Sequence, residues 1–179
     1  MAIAESEGWP QIAKYSRDVD SARDYEVVWQ VESATVHYLE SYLTGDCAAV
    51  GIGADIDSAE IPLRMLDRIL PGAAYEQDEL LDRVEMETED RELAGSLIRA
   101  GLGAPLSSDD DYFEVMTRFS TEHPNPRIRQ FALCGIVYIE WPEFVPLLRR
   151  ISTDDPAESV RTRAAVVLDA YRAAGMDDS

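Results

Sequence analysis

Residues 109–139 read DDDYFEVMTRFSTEHPNPRIRQFALCGIVYI, and residues 141–171 read WPEFVPLLRRISTDDPAESVRTRAAVVLDAY. Shifted by thirty-two, the two stretches fall into step. Tyr112, Val115, Met116 and Phe119 become Phe144, Leu147, Leu148 and Ile151. Ile128, Ala132, Gly135, Ile136 and Ile139 become Val160, Ala164, Val167, Leu168 and Tyr171. Steps of three and four residues line one face of a helix, so each stretch predicts a pair of helices with one buried stripe apiece. A period of this length predicts a stacked solenoid, in which each unit seals its neighbour's apolar face.

The pattern extends backwards. Leu80, Leu81 and Val84 mark one short helix, and Leu93, Leu97, Ala100 and Ala104 mark its partner. Leu80 to Tyr112 is thirty-two residues, whereas Leu93 to Ile128 is thirty-five. A shorter turn in this first, divergent copy accounts for the difference. It lacks the segment His123-Pro124-Asn125-Pro126.

The turns within the two clear copies are themselves alike. One reads His123-Pro124-Asn125-Pro126-Arg127-Ile128-Arg129, and the other Asp155-Pro156-Ala157-Glu158-Ser159-Val160-Arg161. Each has proline, a polar spacer, a branched apolar residue and arginine. Proline suits a first helical turn, where its missing N–H is no loss. Ile128 and Val160 open the buried stripes, and the arginine after each is placed to bridge to a neighbouring repeat. This pattern resembles the turn within HEAT repeats, over about residues 76–174. Phe131 departs from it, because its counterpart is Arg163; a more polar last helix suits a terminal cap. The resemblance implies a scaffold or binding platform. A minority of HEAT-like proteins are enzymes acting on nucleic acid or pigments. The iron oxygenases among them use repeated His-Glu pairs, and neither His37 nor His123 is followed by glutamate.

Upstream the pattern changes. Residues 25–31 (YEVVWQV) and 34–42 are rich in β-branched and aromatic residues, and 47–54 return after a Thr44-Gly45-Asp46 turn signal. They predict a three-stranded antiparallel meander. A helix over Ala59–Leu70 follows, with Ile61, Met65, Leu66 and Ile69 on its buried side. It starts at an Asp57 or Ser58 cap, tolerates Pro62 only within its first turn, and stops at Pro71-Gly72. Residues 1–24 are weakly patterned. Ile12, Ala13 and Tyr15 fit a short helix, and Trp9-Pro10 opposes one running through that point. The expected organisation is therefore α+β: an N-terminal arm (1–24), a small sheet-plus-helix unit (25–75) and HEAT-like helical repeats (76–179).

Composition narrows the function. Thirty-five acids face sixteen bases, a formal charge of −19. Such a field repels phosphate backbones and anionic membranes and favours basic partners, although solubility alone also accounts for it. Cys47 and Cys134 are isolated thiols outside any metal-ligand spacing. No run of about eighteen apolar residues occurs. Glu5 and Glu7 in the first nine residues do not fit a secretion signal. The expectation is a cytoplasmic protein.

Chemistry-bearing patterns are thin. Gly51-Ile52-Gly53 lacks the third glycine of a dinucleotide loop, because position 56 is Ile56. His37 alternates with strand residues, and Glu122-His123 sits in a turn with too few ligands for a metal. The acids Glu85, Glu87, Glu89, Asp90 and Glu92, Asp109 to Asp111, and Asp154-Asp155 read as helix caps and solvated faces. Arg127, Arg129, Arg161 and Arg163 line the ridge of second helices and are expected to pair with acids. Trp141-Pro142, right after Glu140, occupies the link between hairpins, as an anchor or a wedge. These observations predict no catalytic, metal or cofactor-binding residue and no cofactor. They predict a non-enzymatic protein-interaction module whose partner is a protein or peptide, plausibly basic, as in an immunity or antitoxin role. Arg129, Arg161, Glu140 and Trp141 are its expected contact residues. The alternative is a HEAT-like enzyme or nucleic-acid-processing protein using the arginine patch.

Overall fold

The computed structural model describes residues 2–18, 24–40, 47–72 and 75–176. The chain divides into two units between Tyr75 and Glu76. Its class is α+β, with one four-stranded antiparallel sheet and eight helices among the described residues.

The first unit opens with a short helix, α1 (Ala2–Ser6), followed by β1 (Gln11–Tyr15), β2 (Tyr25–Val31), β3 (Ala34–Glu40), β4 (Cys47–Ile52) and α2 (Ile56–Ile69). The strands pair in sequence order, β1-β2-β3-β4, each antiparallel to the next. The sheet thus has one strand more than the sequence pattern predicts. Residues 11–15 are a strand, not a loose arm or a helix. Two physical features hide it. Its side chains are mostly exposed, so no apolar alternation marks it. A bulge between Gln11 and Ala13 also breaks the period of two. What makes it a strand is β2, whose outer edge needs partners: the Gln30 N–H donates to Pro10 O at 2.9 Å, extending the β1–β2 ladder. The expected Thr44-Gly45-Asp46 turn lies outside the described residues.

Val27, Trp29, Val31 and Val36 fill one sheet face with Ala4, and Met65 and Leu66 of α2 pack against them. The helix begins earlier than expected. Asp55 caps it, accepting the Ser58 N–H at 2.8 Å while Ser58 Oγ accepts the Asp55 N–H at 3.1 Å. Pro62 consequently stands in the second turn, not the first. Helix α2 lies close over β4: a Cβ on Gly51 would stand 2.1 Å from Ala59 O.

The second unit is three helical hairpins: α3 (Gln77–Met86) with α4 (Asp90–Leu102), α5 (Asp110–Thr121) with α6 (Pro126–Ile139), and α7 (Val145–Asp154) with α8 (Glu158–Ala173). A single 3-10 turn, Pro142–Phe144, leads into α7. Helix α6 packs between α4 and α8. Tyr112, Met116, Ile128, Ala132 and Ile136 are buried, and so are their counterparts thirty-two residues on. All share one core with Leu80, Val84, Leu93 and Leu97. Burying a large apolar side chain contributes roughly 1.5–3 kcal/mol. Among the described residues, no helix is long and apolar enough to cross a membrane.

Candidate functional site

The turns that open α6 and α8 form a polar ladder. Asn125 caps α6 by accepting the Arg127 N–H at 2.9 Å, and Pro126 takes the first helical position. His123 Nδ1 accepts the Asn125 N–H at 3.2 Å. Thirty-two residues on, Asp155 Oδ1 accepts the Ala157 N–H at 2.8 Å. An imidazole and a carboxylate thus play one role in successive turns.

Each turn is then closed by the arginine six residues on. Arg129 Nη1 donates to His123 O at 2.7 Å and to Pro124 O at 3.5 Å. Arg161 Nη1 donates to Asp155 O at 2.7 Å and to Pro156 O at 3.3 Å. The guanidinium satisfies carbonyls that the tight turn leaves without helical donors. Arg129 has a second function. Its Nε and Nη2 grip Asp155 Oδ2 and Oδ1 at 2.8 and 2.9 Å, a bidentate pair that joins the second hairpin to the third. Burial raises the Asp155 pKa. Hydrogen bonds from Arg129 and the Ala157 N–H, with the charges of Arg129 and Arg161, outweigh that and hold it below the usual 3.8.

The four residues expected to face a partner fare differently. Arg129 is only 6% exposed and is spent inside the ladder. Trp141 is 2% exposed, so it is a wedge and not a surface anchor. Its Nε1–H donates to Pro105 O at 3.0 Å, and its ring stacks on Phe144 and meets Tyr112 edge-on. Glu140 is exposed and ends α6 in the left-handed region, at φ 56°. Arg161 is half-buried, with its carbonyl contacts on one side only. The expectation that the ridge arginines pair with acids holds fully for Arg129. Among the described residues, Arg127 and Arg163 meet no carboxylate. Sequence reasoning missed Asp155 as the centre of the ladder, reading it only as one of a capping run. The available signal was the matched six-residue offset from turn to arginine.

A second polar cluster lies on the sheet face opposite Trp29. His37 Nδ1 is 2.6 Å from Glu26 Oε1, and His37 Nε2 is 3.0 Å from Thr35 Oγ1. A hydroxyl, imidazole and carboxylate in this order can activate a nucleophile. Here β3 is an inner strand, laddered to β2 and β4. Its N–H groups are therefore committed to those ladders and do not hold an oxyanion beside Thr35. The cluster works as a cross-strand tie. Among the described residues, no group of three or more His, Cys, Asp or Glu side chains is arranged to hold a metal ion.

No protein-family model matches this chain, and no curated protein and no solved structure matches it significantly.

Proposed function

We propose that residues 76–179 are a short HEAT-like solenoid and that the protein is a non-enzymatic interaction module. The observation that carries this reading is the repeated arginine-to-turn closure. Arg129 and Arg161 make the same pair of carbonyl contacts, thirty-two residues apart, in successive hairpins. A unit that repeats its polar contacts as well as its apolar stripe is built by stacking, and stacked hairpins present extended faces for docking. The charge of −19 suits a basic protein partner, as in an immunity or antitoxin role. The test is capture of basic proteins by the full chain at about 0.1 M and about 1 M salt. Retention that fades with salt supports the reading, and retention indifferent to salt removes its electrostatic half.

The competing reading is a HEAT-like enzyme or nucleic-acid-processing protein working through the arginine patch. It draws on Arg127 and Arg163, which lack carboxylate partners among the described residues. Absence of binding to single- and double-stranded nucleic acid at low salt eliminates the nucleic-acid version.

A further inference from the structure

The polar ladder has a rung that is made on one side only. Arg129 holds its own turn with Nη1 and the next turn's Asp155 with Nε and Nη2. Arg161 repeats the first half, with Nη1 on Asp155 O and Pro156 O. Those two carbonyls anchor Arg161 Nη1 as His123 O and Pro124 O anchor that of Arg129. The Nε/Nη2 edge is then presented for the contact that Arg129 makes with a carboxylate. Among the described residues, no carboxylate accepts from it.

We propose that this edge of Arg161 is a receptor for an aspartate-bearing turn of another protein, docking beside the third hairpin. The inference rests on the stacked-hairpin reading above, but not on its basic partner.

Three observations support it. First, the chain itself shows the complex in miniature: Asp155 on Arg129, bidentate and buried. Second, the local charge fits. Residues 145–173 hold five arginines (149, 150, 161, 163 and 172) against four acids (154, 155, 158 and 169), while the rest of the chain holds eleven bases against thirty-one acids. At +1 in a chain of −19, this hairpin is the part of the molecule that opposes an acidic turn least. The same imbalance opposes a second copy as the occupant, because two such chains repel. Third, the counterparts of the seam residues are exposed. Gln130 Nε2 donates to Ser159 Oγ at 2.8 Å across the seam, and its counterpart Thr162 is free to solvent. Leu133, fully buried, corresponds to Ala165, which is exposed. Val166, 55% exposed, corresponds to the buried Cys134, so the face joins polar contacts to a small apolar patch.

The test uses the full ¹⁵N-labelled chain and a blocked peptide copying residues 152–160 (STDDPAESV). The Arg161 Nε–H resonance should move saturably toward that of Arg129, while the Arg129 resonance stays in place. An Asp155→Asn peptide should bind about tenfold more weakly or worse, and so should the native peptide to R161K protein, since lysine cannot reproduce the fork. The altered peptide keeps the test valid even where R161K perturbs the fold. Equal shifts at Arg150, Arg161 and Arg163 would overturn the proposal, as would equal binding of both peptides. Self-association through Arg161 without peptide would overturn it in favour of a second copy. Failure here with salt-dependent capture intact removes the Arg161 receptor alone and leaves the interaction-module reading standing.

Discussion

The helical unit has two seams between hairpins; both carry polar ties, but they differ in how close the backbones come and in what is buried between them. Between the first and second hairpins the backbones themselves come close. A Cβ on Gly101 would lie 2.3 Å from Gly135 O and 2.6 Å from its Cα, and one on Gly135 would lie 2.5 Å from Leu97 O. The Tyr112 hydroxyl also donates to Gln77 O at 3.2 Å, Asn125 bonds Asp90, and Arg118 pairs with Glu85 at the exposed edge of this seam. Between the second and third, Val167 stands where Gly135 did, and the ion pair is buried. Arg129 grips Asp155, Gln130 meets Ser159, and the Tyr171 hydroxyl donates to Ile136 O at 2.8 Å. In the glycine seam the close backbone approach adds a demand of shape to its polar ties. The arginine seam is a matter of donors and acceptors, and such a surface can be met again by any chain with the right groups.

The sharpest way to break this contrast is Arg129→Ala. It strands the buried Asp155 carboxylate and the His123 carbonyl together, so chemical denaturation should show a loss of about 3–5 kcal/mol. Replacing both partners, as in R129M/D155L, should recover the part due to the stranded charge, while the His123 carbonyl and the Ala157 N–H stay without their partners. A double variant as unstable as the single one would show that the lost closure of the second hairpin's own turn, not the ion pair, accounts for the loss. Next comes the glycine seam. Gly101→Val places side-chain atoms where Gly135 backbone now lies, and the helices must separate at a cost of about 1–3 kcal/mol. An unchanged melting transition in that variant would mean the close approach is not maintained in solution. A smaller effect is expected from Tyr171→Phe, which removes one buried hydrogen bond to Ile136 O and should cost about 1 kcal/mol.

The two seams were unequally legible in the sequence. The apolar stripe was readable because burial imposes a helical period that survives substitution: Met116 and Leu148 differ in chemistry and share a place. The Arg129–Asp155 pair was not, since the partners are twenty-six residues apart and belong to no common local motif. Trp141 was ambiguous for a related reason. An aromatic in a link is a wedge or an anchor according to what covers it, and the cover comes from Pro105, Tyr112 and Phe144. In the sheet unit, β1 carries no apolar period at all. Its existence follows from the needs of β2, a non-local cause that a reading of residues 11–15 alone cannot supply.

The mildest probe of the arginine seam is pH. The Asp155 carboxyl is held below its ordinary 3.8 in the folded chain, so the native state binds fewer protons than the unfolded chain across that interval. Its contribution is therefore complete above the unfolded value and is lost as pH falls through the folded one. Asp155→Asn keeps a side-chain acceptor for the Ala157 N–H but cannot titrate. Between about pH 5 and pH 2 the native chain should lose stability more steeply than this variant, with the two curves converging at the acid end. Asp55 is also lowered, through its bonds with Ser58, but it caps a helix of the other unit and is present in both proteins. Its share cancels when the curves are subtracted. Parallel acid limbs for the two proteins would show that the Asp155 carboxylate is no better held in the fold than in the open chain. The arginine seam would then rest on the Gln130–Ser159 and Tyr171–Ile136 O hydrogen bonds and the shared apolar core, and a carboxylate would gain nothing from the matching edge of Arg161.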